Sequence, residues 1–284
     1  MTGRALQLVG DEGPLARVTG RLRGHRRTDH TEADLDDQIA AAGQPTRFNV
    51  AAVLSPHGGT GKTTLALLSA TTLARHAQVR TVVVDASPDY GTLAAAGAVD
   101  RQATGTIGDL LAAAPGLLNP AELRPYVTQL PGGAHLLCGG PDDQPLTPDR
   151  VADLLGYLAA FYELALLDCA TGIAGQLAQH AITRADHTVL VTTPQQARSS
   201  SALAALATIQ SDDPTVVLNR AQHGPSARAQ FTDEDDLAGA VVAIPEDPEL
   251  GADVDTLALD PDVLAPSTRV AVKDLAVRLA GALR

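Results

Sequence analysis

Short runs of apolar, often β-branched residues alternate along this chain with longer segments whose apolar residues recur at helical spacing. Most of the short runs are apolar throughout, as expected for parallel strands that are buried on both faces of a sheet. The predicted strands are Phe48–Leu54, Thr81–Val84, Ala134–Leu137, Leu164–Leu167, Thr188–Thr192, Thr215–Leu218 and Val241–Ile244. The alternation predicts an α/β fold, a doubly wound, mostly parallel sheet with helices on both faces, over residues 47–284.

Two helices have clear sequence signals. Thr147 followed by Pro148 predicts an N-cap and a first helical residue, and we expect this helix to extend to about Phe161. The segment Ser267–Leu283 has apolar residues at helical spacing with few charges of mixed sign, which predicts a closing helix packed on the core rather than on a membrane.

Residues 1–46 differ in composition from the rest of the chain, since they are rich in Gly, Arg and Asp. We interpret them as a partly disordered N-terminal tail or linker, with one helical stretch from Thr31 to Ala42. Five arginines between residues 17 and 27 form a basic run. Such a run is usually a solvated tail, and the alternative is a docking segment for an acidic partner or a membrane surface.

Composition excludes several kinds of protein. The formal net charge is −12, which argues against non-specific DNA binding, because phosphate contacts need clustered Lys and Arg. The chain has two cysteines and no short-spaced Cys/His set, so we expect a reduced, cytoplasmic setting without structural zinc. It has neither a long uninterrupted apolar stretch nor a leader-like N-terminus, which predicts a soluble protein.

The most informative segment runs from Ser55 to Thr64 and reads Ser-Pro-His-Gly-Gly-Thr-Gly-Lys-Thr-Thr. Its glycines let successive backbone N–H groups converge on an anion, Lys62 supplies charge for the β- and γ-phosphates, and the Thr63 hydroxyl can bind Mg²⁺. The alternative, a glycine-rich turn without a ligand, is disfavoured because strand, loop, Lys-Thr and helix occur in the required order. The predicted phosphate-binding residues are Gly58, Gly59, Thr60, Gly61, Lys62, Thr63 and Thr64.

Two aspartates directly follow predicted strands, where ligands bind in open parallel sheets. Asp85 follows Thr81–Val84, and Asp168 follows Leu164–Leu167. Asp168 suits a Mg²⁺ ion held through a water, although a helix cap is the alternative role for each acid. Gly172 is a candidate to donate its backbone N–H to a γ-phosphate and so to sense the third phosphate.

Together these motifs resemble the MinD/ParA family of deviant Walker A P-loop ATPases, over about residues 47–284. The loop at 58–64, Val82–Asp85 and Leu166–Asp168 are similar to its phosphate loop and two switches. Val216–Arg220 is similar to the strand whose Asn reads adenine, and Ile244–Asp247 to the loop over the base. The resemblance implies a SIMIBI-type P-loop NTPase fold that binds ATP and Mg²⁺, with Asn219, Arg220 and Pro245 on the base side.

The same resemblance implies how such a protein works. It implies that this chain forms a nucleotide-dependent homodimer, hydrolyses ATP slowly and controls a protein partner or cargo, which the sequence does not identify. The stretch Asp85–Leu93 further resembles the actinobacterial MinD-like branch, some members of which are linked to type VII secretion. The MinD branch ends in a basic amphipathic extension, whereas this chain stops at Arg284, so we expect no autonomous membrane anchor.

Two positions depart from the family's pattern. The family has a lysine before the paired glycines that reaches across the dimer, whereas this chain has His57, whose imidazole is ordinarily mostly neutral at pH 7. The first switch of the family has an acid where this chain has Ser87, and Asp89 would have to replace it beyond the rigid Pro88. The candidate catalytic residues are therefore Lys62, His57 and Asp89, and we expect slow or partner-stimulated hydrolysis.

Three functions remain open at this point. The first is an ATP-driven molecular switch that acts in positioning, partitioning or secretion. The second is a catalytically degenerate nucleotide-binding scaffold, which His57 and Ser87 favour. The third is a P-loop ligase or kinase for a small molecule, which would need a substrate pocket that the sequence does not identify.

Overall fold

The computed structural model describes residues 31–42, 45–86, 93, 103–116, 119–140, 143–197, 199–209, 213–221, 241–252 and 259–283. Within these ranges helices and strands alternate for most of the chain. In order they are α1 Glu32–Ala41, β1 Asn49–Ser55, α2 Lys62–His76, β2 Thr81–Ala86, α3 Ile107–Ala113, β3 Thr128–Gln129, β4 His135–Leu137, α4 Pro148–Leu158, β5 Leu164–Thr171, α5 Gln176–Arg184, β6 His187–Thr192, α6 Ser200–Thr208, β7 Thr215–Ala221, β8 Val241–Pro245, α7 Glu249–Ala252 and α8 Pro266–Ala282.

The strands form one eight-stranded sheet in the order β3-β4-β2-β5-β1-β6-β7-β8. Every neighbouring pair is parallel except β3 with β4. This arrangement confirms the predicted α/β fold with a mostly parallel sheet. Strand β1 lies between β5 and β6, and the chain continues to one side of it with β2 and to the other with β6 to β8. The loop after β1 therefore leaves the sheet where the winding reverses, which is where ligands bind in such sheets.

Strand β1 shows why the sheet needs a helical layer on each face. Val50, Ala52 and Leu54 belong to one apolar cluster, while Ala51 and Val53 belong to the other. Because successive side chains of a strand point to opposite faces, a strand that is apolar throughout is stable only when both faces are covered. Helices α3, α4, α5 and α6 contribute buried residues to the first cluster, and α1, α2 and α8 to the second.

Several strands extend further than the apolar runs predict. Asp85 lies inside β2 and Asp168 inside β5, where the two acids are register partners on neighbouring strands. The backbone ladder continues into these polar residues because strand pairing depends on N–H and C=O groups, not on the side chain. The two-residue strand β3 has no pattern long enough to predict it, and α4 ends at Leu158 rather than near Phe161.

The part of residues 1–46 that the structure describes includes helix α1, which packs against the closing helix. Thr31 caps α1 in a reciprocal capping box with Asp34, and Leu35 and Ile39 are buried. The start of the N-terminal segment, residues 1–30, lies outside the described residues, and the domain boundary at residue 46 stays a prediction. Of the helices that the structure describes, none has the length and apolar character needed to cross a bilayer.

Candidate functional site

The glycine-rich loop after β1 leads directly into the N-terminus of α2. Gly59 and Gly61 have φ angles of 70° and 87°, in the left-handed region that glycine adopts without steric cost. Gly61 is the N-cap of α2, so the helix starts at Lys62. The first N–H groups of a helix have no partner within it and carry the positive end of its dipole. The loop and the helix start thus have backbone geometry suited to an anion, and their binding of phosphate stays a prediction.

Thr63 and Asp168, predicted from separate motifs, are in contact. The Thr63 hydroxyl donates a hydrogen bond of 2.6 Å to Asp168 Oδ2. Asp168 is only 5% exposed, and burial, together with the nearby charge of Asp85, raises the pKa of its carboxyl to about 6. The protein therefore maintains a buried acid whose ionised form is poorly solvated.

This pair fits a magnesium ion. The second carboxylate oxygen of Asp168, Oδ1, is buried and makes no hydrogen bond to any residue that the structure describes. Mg²⁺ prefers hard oxygen ligands such as carboxylates and hydroxyls, often through its own waters. Thr63 and Asp168 supply those donors at the start of α2, and a cation there would compensate the buried charge.

Lys62 and Gly172 lie at the same edge of the sheet. Lys62 Nζ donates to Thr171 Oγ1 over 3.4 Å, so the lysine lies next to the end of β5. Gly172 has a φ of 94°, but its N–H donates to the Ser55 carbonyl at 2.9 Å. In this conformation the Gly172 N–H is thus engaged with the end of β1, and its role as a phosphate sensor stays a prediction.

The residues predicted for the base side lie at the ends of β7 and β8. Asn219 is 5% exposed, and its Nδ2 donates to the carbonyl of Thr60 at 2.8 Å. Arg220 is exposed. Pro245 ends β8 and is the register partner of Ala221. Asn219 therefore connects β7 to the phosphate loop, while the contact of all three residues with a base stays a prediction.

The loop histidine makes an unexpected contact within the same chain. His57 Nε2 is 2.8 Å from the Ser201 hydroxyl, at the start of α6. The backbone of His57 is also fixed, since its N–H donates to Ser55 Oγ and its carbonyl accepts from the same hydroxyl. The imidazole thus contacts α6 of its own chain, and its role across a dimer interface stays a prediction.

The first switch is only partly described. Asp85 is 2% exposed at the end of β2, next to Asp168 in the sheet. Ser87, Pro88 and Asp89 lie outside the described residues, as does most of the Asp85–Leu93 stretch. The catalytic role of Asp89 accordingly stays a prediction.

A comparison with known protein families identifies the domain. Residues 51–258, more than half of the chain, match the CobQ/CobB/MinD/ParA nucleotide binding domain. The chain belongs to this family. The matched range includes the phosphate loop and its Lys62, the Asp168 strand, and the strands that carry Asn219 and Pro245. No curated protein matches the chain closely enough to count as a relative.

Solved structures with the CobQ/CobB/MinD/ParA fold cover most of this chain. The MinC:MinD cell division protein complex from Aquifex aeolicus is 23% identical and covers 82% of this chain and 96% of its own, with a TM-score of 0.61. MinD from Pyrococcus horikoshii OT3, complexed with Mg-ADP, is 19% identical over 82% and 98%, with a TM-score of 0.58. At these identities the similarity shows the fold.

A third structure is that of a synthase. Cobyrinic acid a,c-diamide synthase from Mycobacterium smegmatis, with a bound ATP analogue and magnesium, is 17% identical over 82% of this chain and 94% of its own, with a TM-score of 0.55. The CobQ/CobB/MinD/ParA fold therefore carries different functions, and membership does not by itself choose between a switch and a ligase.

Two residues that contact the predicted site residues are not among those that the sequence predicts. Thr171, which contacts Lys62, lies in the segment after Asp168 and could have been found from that position. Ser201, the partner of His57, lies 144 residues further along the chain in an ordinary Ser-Ser-Ala helix start, and no local pattern points to it.

Proposed function

We propose that this chain is an ATP·Mg²⁺-binding switch of the MinD/ParA kind. The observation that supports this most is the Thr63–Asp168 hydrogen bond beneath a glycine loop that ends in Lys62. Threonine hydroxyl, buried carboxylate, lysine and free helix N–H groups are the four elements that a magnesium-bound triphosphate requires. The Mg-ADP of the archaeal MinD and the ATP analogue of the diamide synthase support the choice of ligand.

In this proposal each residue of the chain has a specific task. The N–H groups from Gly58 to Thr63 bind the phosphate oxygens, and the Lys62 ammonium lies against the β- and γ-phosphates. Thr63 and Asp168 hold the magnesium ion, which neutralises phosphate charge when bound.

The switch itself is a change of partner at Gly172. Its N–H must leave the Ser55 carbonyl before it can donate to a third phosphate, and this exchange would distinguish ATP from ADP. Two discrete hydrogen-bonding states at the end of β5 are a bistable element of the type that nucleotide switches use. ATP-dependent homodimerisation and control of a partner or cargo are the outputs that we propose for it.

Slow hydrolysis follows from the position of His57. A cation supplied across an interface contributes about 10³–10⁵ in rate to phosphoryl transfer in related enzymes. Here the side chain at that position is bonded to Ser201 of its own chain. A partner that breaks this bond, or that supplies its own cation, would accelerate turnover.

The same contact favours a second candidate function. If His57 stays bonded to Ser201 in the ATP state, the protein is a nucleotide-bound scaffold that does not turn over. In that case ATP stabilises one conformation for a partner, and no reset by hydrolysis occurs. The switch releases phosphate, at least with its partner, whereas the scaffold releases none.

Light scattering after size exclusion in ATP, ADP and no nucleotide, with phosphate release measured in parallel, tests the proposal. We expect a dimer in ATP with Mg²⁺, a monomer otherwise, and phosphate release well below about 1 s⁻¹, the low end for ordinary enzymes. ATP-dependent dimerisation without any phosphate release would support either the scaffold or a switch that only a partner resets. An unchanged oligomeric state in all three conditions would contradict the switch.

A further inference from the structure

The side-chain amide of Asn219 is committed to two backbone groups. Its Nδ2 donates to the Thr60 carbonyl at 2.8 Å, and its Oδ1 accepts from the Arg220 N–H at 3.0 Å. One partner is an acceptor and the other a donor, so together they fix which way the amide points. The residue is 5% exposed, which means that losing either partner would leave a buried polar group unsatisfied.

Gly61 fits against this amide. A Cβ atom on Gly61 would collide with Nδ2 of Asn219, so the absence of a side chain in the loop makes room for the amide. The φ of 87° at Gly61 independently favours glycine. The third glycine of the loop thus has two roles, and one of them depends on Asn219.

The backbone of β7 is distorted where it presents this side chain. Arg220 has a φ of 57°, which is uncommon for a residue other than glycine. The register between β7 and β8 shifts between Leu218 and Ala221. A strained residue persists only where its surroundings determine it, and here the Oδ1 of Asn219 accepts the N–H of that strained residue.

We propose that Asn219 is a positioning residue of the phosphate loop, holding the Thr60–Gly61 peptide in its phosphate-binding conformation. The proposal rests on the proposed triphosphate site and adds a task beyond contact with a base. An amide has two N–H groups and two lone pairs, and the loop and Arg220 use one of each. The other N–H and the other lone pair have no partner among the described residues and can meet a base, so Asn219 would link the base side of the site to its phosphate side.

A ligand without a base separates these two tasks. We would titrate magnesium tripolyphosphate and Mg·ATP into the unaltered chain and into Asn219→Ala. Loss of a buried hydrogen bond in the loop predicts that both ligands bind roughly tenfold to a hundredfold more weakly, and any further loss for ATP alone would measure the contact with the base. A loss confined to ATP, with tripolyphosphate binding unchanged, would overturn the proposal and leave base recognition as the only role.

Asn119→Ala is the matched control. Asn119 also makes a side-chain hydrogen bond to the backbone, to the N–H of Ala121 at 3.0 Å, but at the start of the short 3₁₀ helix Pro120–Leu123. This substitution removes the same chemical group and one side-chain-to-backbone hydrogen bond, at an exposed position outside the phosphate loop. We expect it to bind both ligands as the unaltered chain does.

Hydrogen exchange of the ligand-free protein gives a readout that needs no nucleotide. Asn219→Ala should increase amide exchange in a peptide covering residues 58–61, while exchange in α4 stays unchanged. Unaltered exchange in the loop would overturn the positioning role. If the unaltered chain binds neither ligand, the proposed function fails, and the exchange experiment still decides whether Asn219 holds the loop.

Discussion

At the scale of single residues, Asp168 shows the energetic cost of the candidate site. Its carboxylate is buried next to Asp85, and one of its oxygens has no hydrogen-bond partner among the described residues. Burial raises its pKa to about 6, above the ordinary value of about 4 for aspartate. Above pH 6 the folded state therefore contains an unfavourable charge that the unfolded chain hydrates freely.

This leads to a prediction for Asp168→Asn. At pH 7 and without Mg²⁺, we expect the variant to be about 1–3 kcal/mol more stable than the unaltered protein, because it removes the buried charge and its amide oxygen still accepts from Thr63. Between about pH 6 and 4 the folded protein binds a proton that the unfolded chain does not, so its own stability rises and the advantage of the variant shrinks at pH 5.

Urea unfolding at pH 7 and pH 5 in the presence of a chelator measures this effect. Asp153→Asn is the control, since Asp153 is exposed on α4 and its loss should change stability by less than about 0.5 kcal/mol. If Asp168→Asn were less stable than the unaltered protein at pH 7, the interpretation that the buried charge of Asp168 destabilises the ligand-free fold would be wrong.

The sequence predicts site residues that belong to local motifs, but it does not predict contacts between residues that lie far apart along the chain. Lys62, Thr63 and Asp168 were identified because a glycine loop and a strand ending in an acid are local patterns. The His57–Ser201 contact could not be identified, since a histidine and a serine in distant segments carry no pattern that reports their distance. The second hydrogen-bonding role of Asn219 was missed for the same reason.

At the scale of elements, the contact between α1 and α8 is the feature that composition did not anticipate. Lys273 on α8 has a side chain that is 6% exposed, and its ammonium lies 2.6 Å from Asp36 and 3.1 Å from Glu32. Arg269, one turn earlier, binds Glu32 as well and lowers the pKa of that carboxyl. Helix α1 is thus attached to the domain by charge as well as by its buried Leu35.

A double-mutant cycle with Asp36→Asn and Lys273→Met measures this attachment. Because the lysine is buried and Asp36 is about one third exposed, we expect a coupling free energy of about 1–3 kcal/mol, between the values for exposed and buried ion pairs. Each single variant should be less stable than the unaltered protein in urea unfolding. A coupling near zero would show that the Asp36–Lys273 pair does not stabilise the attachment of α1, which would then depend on Glu32 and the apolar residues.

The fold itself was largely predictable, for a physical reason. Seven of the eight strands contain an apolar run long enough to show burial on both faces, and helix starts such as Thr147–Pro148 are chemically distinctive. Strand ends were not predictable, because β2, β5 and β7 continue into polar residues that serve the site. The two-residue β3 pairs only with β4 and is too short to carry a period.

At the scale of the whole molecule, the sheet brings distant segments to one edge. The loop after β1, the acids of β2 and β5, and Asn219 of β7 all lie at the carboxyl ends of parallel strands. The whole chain is acidic, with a formal net charge of −12 at pH 7. An acidic protein repels polyanions in general. Its clustered N–H groups and one lysine at this edge therefore favour binding of a specific, metal-bound anion.

The central claim is that this edge holds a magnesium-bound triphosphate, and calorimetric titration of Mg·ATP tests it most directly. We expect the unaltered chain and the Asp153→Asn control to bind equally, and Lys62→Ala, with unchanged thermal stability in the ligand-free state, to bind about a hundredfold more weakly or not at all. Equal affinity of Lys62→Ala and the unaltered chain for Mg·ATP would contradict the account.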